Sequence, residues 1–250
     1  KKINIMKLNV FTPIKNLKIK YYSNDTVFKP TRTSVLIIKG IEKNKKIFTK
    51  YKTLIDLGCG TGILGISLKN IFKKIDVTFA DQSSKAVNLT KKNLKFNKIE
   101  SSTFKSDLFK NIPKKNFDII INDVAGISNF FEKIGFWYNK NIPCNTGLDG
   151  TLKTIEFLNS IPKETKIIVM PLISLSNIKK IKSFLVKKKL KYKLVLKEFW
   201  PLPKKLLIKH SEKLKNLKKK NFIDYNKKFG MYLAYTEILI IKKIWLFSLL

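Results

Sequence analysis

The sequence predicts an α/β protein built on a mainly parallel, doubly wound sheet, and three observations predict it. An apolar run, Leu54 to Leu57, meets glycines at alternate positions (Gly58, Gly60, Gly62) and passes directly into a helical pattern reaching Leu68. This is a strand turning tightly into a helix, where missing Cβ atoms let a ligand approach the backbone. A second run, Ile75 to Ala80, ends on a carboxylate, Asp81, nineteen residues beyond Gly62. Strand-like and helix-like segments then keep alternating at lengths that suit βαβ units.

The elements follow in order. Residues 1–26 alternate apolar and polar (Ile3, Ile5, Leu8, Val10, then Ile14, Leu17, Ile19, with Pro13 between), which predicts an N-terminal annex of short strands or a hairpin. Pro30 precedes a helical pattern through Val35, Leu36, Ile38 and Ile41, with Thr33 or Ser34 as its cap. Strands are expected near 53–58, 75–81, 101–105, 117–122, 166–171, 192–199 and 231–241. Helices are expected near 62–72, 83–97, 147–160, 175–189 and 203–219. Residues 27–250 thus read as one domain with a C-terminal extension, and no internal repeat is present.

Ligands in such sheets bind outside the carboxyl ends of the strands. The G-x-G-x-G spacing is tighter than the dinucleotide fingerprint, and Asp56, just inside the strand end, suits a cationic, ammonium-bearing ligand better than a pyrophosphate. Asp81 can accept both hydroxyl protons of a ribose; the plainer reading of the glycine turn is packing alone. Asp107 can accept from an exocyclic amine while Leu108 offers a backbone N–H and an apolar wall, a pairing that suits an adenine ring. Its alternative is an Asp capping the turn before Pro113. Asn122 closes the fourth strand, where an amide can accept from a substrate amine, or simply make a turn before Gly126. Asp123 has three readings: a base, an attractor for a cationic nitrogen, or a hydrogen bond within the loop.

Composition narrows the class. The 250-residue chain is 44% hydrophobic, enough for a proper core, and carries a net charge of +35. Of 52 basic residues only Arg32 is arginine. Nucleic-acid surfaces favour the arginine fork, so a codon bias spread over the surface explains the lysines better than a dedicated interface. Any such field still attracts polyanions. The run Lys213–Lys220 reads as the solvated face of a helix. Two cysteines, Cys59 and Cys144, and one histidine, His210, argue against a disulfide framework, a zinc site or a histidine-based hydrolase. Nothing resembles a signal peptide, and the apolar tail from Ile238 is broken by Lys242 and Lys243, too short between charges to span a bilayer. The expectation is a cytoplasmic protein.

Residues 54–68 resemble motif I of the class I S-adenosylmethionine (SAM) methyltransferases. With Val27-Phe28-Lys29-Pro30 upstream and Gly147-Leu148-Asp149-Gly150 downstream, the chain resembles the methyltransferase small domain group over residues 27–190. That group includes release-factor glutamine methyltransferases and several RNA base methyltransferases. The resemblance implies a Rossmann-like, seven-stranded sheet whose last strand inserts antiparallel between strands five and six. It implies SAM as cofactor, held by Asp56, Gly58, Gly60, Gly62, Asp81, Asp107, Leu108 and Asn122, with Asn122 and Asp123 in catalytic positions and no metal. The acceptor implied is a nitrogen of a protein side chain or an RNA base. The group closes strand four with Asn-Pro-Pro-Tyr, whereas here Asn122 is followed by Asp123-Val124-Ala125, without the stiffening prolines or the stacking ring. A ring from Phe130, Phe131, Phe136, Trp137 or Tyr138 would replace it, unless that cluster is core. The altered loop also admits a second function, a SAM-binding partner subunit that transfers no methyl.

Overall fold

The structure, a computed structural model, describes residues 6–113, 116–124, 126–136 and 145–243. Ile3, Ile5, Ala125, Trp137, Tyr138, Cys144 and the tail from 244 onward lie outside the described residues. The chain divides into two compact units, Lys1–Asp123 with Ser160–Met170, and Val124–Asn159 with Pro171–Leu250.

The first unit opens with an antiparallel hairpin, β1 (Lys7–Ile14) and β2 (Leu17–Ser23), which turns Phe11, Ile19 and Tyr21 inward. Helix α1 (Arg32–Lys43) starts earlier than the apolar pattern suggests. Thr31 is its N-cap, accepting from the Thr33 N–H, and Ser34 completes a reciprocal capping box. The expected caps, Thr33 and Ser34, are therefore inside the first turn. Then follow β3 (Thr53–Leu57), α2 (Ile63–Ile71), β4 (Asp76–Asp81), α3 (Ser84–Phe96), β5 (Thr103–Lys105), β6 (Ile119–Asn122) and β7 (Ile167–Ile173), which passes into the second unit at Pro171. These strands run parallel in the order β5-β4-β3-β6-β7. They read as near-continuous apolar runs because a parallel sheet is covered on both faces. Ile55, Val77, Phe79 and Ile119 to Ile121 are fully buried. Asp118, just before β6, pins the register: its Oδ2 accepts from the Lys52 and Thr53 N–H groups and the Thr53 hydroxyl.

The second unit holds α4 (Asn129–Lys133), α5 (Leu152–Ser160), α6 (Ile178–Lys187), β8 (Leu190–Pro201), α7 (Lys204–Lys219), β9 (Asn226–Lys228) and β10 (Met231–Lys243). Strand β10 lies between β7 and β8 and runs antiparallel to β8, as the resemblance implies. The short β9 adds an eighth strand against the start of β10. The helix expected over 147–160 begins only at Leu152, because Gly147 (φ +80°) and Gly150 (φ +75°) hold a left-handed turn. A Cβ at Gly150 would sit 2.5 Å from the Ile127 carbonyl carbon and one at Gly126 2.6 Å from the Gly150 carbonyl oxygen, so backbones touch there. Phe131 is buried and packs edge-on to Phe130 and against Phe136, which places the described part of the aromatic cluster in the core. In α7, Leu214 and Leu217 face inward while Lys213, Lys215 and Lys219 are exposed.

Candidate functional site

Parallel register brings three strand ends of the first unit level. Leu57 on β3 is flanked by Ala80 on β4 and Asn122 on β6. The next row out therefore reads Asp81, Gly58, Asp123. Neighbouring strands are about 4.8 Å apart, so the two carboxylate-bearing residues stand astride the glycine turn.

Gly58, Gly60 and Gly62 have φ of +73°, +55° and +77°, the left-handed region that favours glycine. The Gly58 and Cys59 N–H groups both donate to the Ala80 carbonyl, at 2.8 and 3.0 Å. Helix α3 braces the turn from outside: the Thr90 hydroxyl donates to the Gly60 carbonyl (3.0 Å) and the Asn93 amide to the Thr61 carbonyl (2.8 Å). A Cβ on Gly62 would lie 2.8 Å from Thr90 Cγ2, and one on Gly65 2.3 Å from Phe79 Cε1. At Gly60, among the described residues, it would meet only Phe28, the carbonyl oxygen at 3.5 Å and Cβ at 4.0 Å. What requires glycine at Gly60 is thus its φ, not lack of room within the protein.

Three carboxylates gather here. Asp56 is 1% exposed; its Oδ2 accepts from the Gly65 N–H (2.8 Å), while Oδ1 is buried with no hydrogen-bond partner among the described residues. Burial pushes its carboxyl up to about 7, opposed by the Gly65 N–H and reinforced by the charges of Asp123 and Asp81. Asp81 accepts from the Ser83 N–H at Oδ1 (2.8 Å) and the Gly60 N–H at Oδ2 (3.0 Å). Burial raises it and those two bonds oppose the rise. A carboxylate has about four acceptor positions, so two remain for hydroxyl donors. Asp123 is half-buried, and its Oδ2 accepts from the Ser34 hydroxyl of α1 at 2.9 Å. Burial pushes it up to about 7, with the Ser34 bond pulling the other way. Among the described residues none of the three pairs with a lysine, and no group of three or more His, Cys, Asp or Glu is placed to hold a metal ion. Cys59 is buried, and desolvation holds its thiol well above its ordinary value, so it is not poised as a nucleophile.

The remaining expected residues are placed differently. Asp107 is half-buried and paired with Lys110 at 2.6 Å. Leu108 holds φ +51°, unusual for a branched side chain, and its carbonyl accepts from Ser106 Oγ, which in turn accepts from the Asn111 N–H. Among the described residues the Leu108 N–H has no protein acceptor. Asn122 is 1% exposed at the end of β6. Sequence reasoning overlooked Thr90 and Asn93 as braces of the turn, and saw Ser34 only as a cap. A signal was present for the first two: polar residues three apart on the apolar face of a helix, beside Leu89 and Leu94, need buried partners.

Residues 21–123 match the family model for the methyltransferase small domain. A Methanocaldococcus jannaschii protein, provisionally named a protein N5-glutamine methyltransferase, is 31% identical over 155 residues, 61% of this chain and 73% of that protein. Ribosomal RNA small subunit methyltransferase C of Buchnera aphidicola is 35% identical over 74 residues, 30% of this chain but only 23% of that protein. Among solved structures, a T. thermophilus 16S rRNA N2 methyltransferase in complex with AdoMet and guanosine superposes with a TM-score of 0.58 at 13% identity, covering 97% of this chain and 52% of that one. A chain of the E. cuniculi complex responsible for methylating the eRF1 termination factor gives 0.56 at 13% identity, covering 88% and 99%. The fold is the class I methyltransferase fold, and the chain belongs to the methyltransferase small domain family. No helix among the described residues is long and apolar enough to cross a membrane.

Proposed function

We propose that the chain binds SAM at the glycine turn and transfers its methyl group to a nitrogen of a protein side chain or an RNA base. The observation that carries this reading is the buried, unpartnered Asp56 Oδ1 beside a glycine cradle, with no counter-charge among the described residues. An orphaned buried carboxylate oxygen is costly unless a ligand completes it, and a ligand ammonium fits. In this reading Asp81 takes the ribose hydroxyls with its two spare acceptor positions. Asp107 and the free Leu108 N–H would hold the adenine edge, Asp107 exchanging its Lys110 contact for the ring amine. When bound, SAM supplies a sulfonium methyl, an electrophile that leaves its bonding pair on sulfur as the acceptor nitrogen takes the carbon. The chain supplies position: Asn122 orients the acceptor nitrogen, and buried residues around Asp56 exclude water. Most of the rate enhancement then comes from alignment.

Calorimetry with SAM and S-adenosylhomocysteine tests the cofactor half; no binding of either at millimolar concentration would defeat it. Tritiated SAM offered with protein and with rRNA or tRNA from the same source tests the acceptor half. The second reading, a SAM-binding partner subunit, is favoured by one observation, the loss of Pro-Pro-Tyr after Asn122; turnover with any acceptor removes it. A cytoplasmic location, and polyanion binding through exposed lysines such as those of α7, belong to the same proposal.

A further inference from the structure

The position after Asn122 carries an acid, Asp123, and the structure gives that acid a brace. Ser34 sits at the third residue of α1, accepts from the Thr31 N–H, and donates its own proton to Asp123 Oδ2. The helix cap and the acid thus share one hydroxyl, which fixes the carboxylate at the level of the glycine turn. In a chain with 52 basic residues and 17 acidic ones, acids elsewhere find lysines: Asp107, Asp149 and Glu237 each have one within 2.9 Å. Asp123 does not, among the described residues, and Asp56 on β3 feels the charges of both Asp123 and Asp81. Asp56 adds an unpartnered buried oxygen to the same cluster. One ammonium and one ribose account for Asp56 and Asp81. Asp123 is the acid left over, on the acceptor side.

Resting on the methyl-transfer reading above, we propose that Asp123, braced by Ser34, seats a protonated aliphatic amine of the acceptor beside Asn122, so that the acceptor class is a primary amine rather than a planar amide or base. A neutral planar acceptor needs a stacking face, and the described loop residues after Asn122, Asp123 and Val124, offer none. An ammonium needs an anion, and in a field of +35 only a local cluster of acids supplies it. The same acid then solves the second requirement. An ammonium has no lone pair; on transfer of one proton to Asp123 the N–H bond breaks, an O–H bond forms, and the bonding pair stays on nitrogen as the nucleophilic lone pair. The proton leaves Asp123 for water afterwards. A carboxyl held up to about 7 accepts it far more readily than an ordinary aspartate would.

The test uses the full chain with 13C-labelled aspartate, Asp123 assigned through its backbone neighbours, and a pH titration of its carboxyl. The probes are Nα-acetyl-lysine amide, a lysine-free peptide with an open N-terminus, spermidine and Nα-acetyl-glutamine amide. At least one amine should lower the Asp123 midpoint by about one unit, as a nearby cation does; which one responds names the source. The glutamine amide should leave it in place. Ser34→Ala should raise the midpoint without amine and weaken amine binding several-fold, and Asp123→Asn should weaken it about tenfold or more. A midpoint that no amine moves, or equal binding of the glutamine probe, overturns the proposal. Calorimetry with SAM on the same sample separates the two readings. SAM binding with an amine-blind Asp123 sinks only this inference, whereas absent SAM binding sinks the methyl-transfer reading whatever Asp123 does. Methyl from tritiated SAM recovered on glutamine amide or guanine would also overturn it.

Discussion

Asp56→Asn should make the protein more stable at pH 8 while abolishing cofactor binding. The Asp56 carboxyl is pushed from 3.8 to about 7 on folding, chiefly by burial. The sign follows from linkage: a folded-state value raised above the unfolded one favours the native state at low pH and costs stability as pH rises through the folded value. The full penalty above pH 7 is ~4 kcal/mol at 1.36 kcal/mol per unit, with ~3 kcal/mol of it developing between pH 5 and pH 8. Asparagine keeps an oxygen for the Gly65 N–H and removes the charge, but leaves an amide where Oδ1 lacks a partner. That offsets ~1–2 kcal/mol, so the net gain at pH 8 should be ~1–3 kcal/mol. Urea denaturation of both proteins at pH 5 and pH 8 reads this directly. Wild type should lose stability across the interval, and the variant should lose clearly less. If wild type were equally stable at both pH values, or the variant were weaker at pH 8, the account of Asp56 as a buried charge awaiting a cation would be wrong.

Gly65→Ala should cost ~1–3 kcal/mol by overpacking against Phe79; Gly65→Ala/Phe79→Leu should be less than additive, and a double-mutant cycle without coupling would refute the contact. Asn122→Ala should lower turnover on the order of a hundredfold with the SAM dissociation constant unchanged, and its burial adds a melting-temperature loss; near-full methylation of the true acceptor would place the acceptor elsewhere. Glu237 is buried and bridged by Lys182 (2.6 Å) and Lys197 (3.2 Å). Glu237→Gln should destabilise the second unit by ~1–3 kcal/mol, and an unchanged denaturant midpoint would mark the pair as ornamental.

The sheet was legible because its strands are buried on both faces and write themselves as runs such as Ile119-Ile120-Ile121, each followed by an amphipathic stretch. The glycine turn was legible because three positive φ values in five residues leave almost no other choice of amino acid. What failed was local. The helical pattern runs five residues ahead of α5 because Gly147 to Gly150 lies in an otherwise helical stretch, and composition does not show that both glycines are left-handed. The five-residue α4 and three-residue β9 are too short to write a period. Ser34 illustrates the harder limit. Its partner Asp123 is 89 residues away, and no local pattern in either segment encodes that meeting.

One buried side chain links the hairpin to the glycine turn. The Asn93 amide donates to the Tyr22 carbonyl (3.0 Å) and the Thr61 carbonyl (2.8 Å), while its Oδ1 accepts from the Tyr22 N–H (2.7 Å). To the end of β2, Asn93 stands in for a neighbouring strand; to the turn, it is a tether. Any tightening at Thr61 must therefore be transmitted to Tyr22 through a single rigid amide. The Tyr22 backbone N–H becomes a remote gauge of the turn, and its hydrogen exchange should slow when ligand fills the cradle.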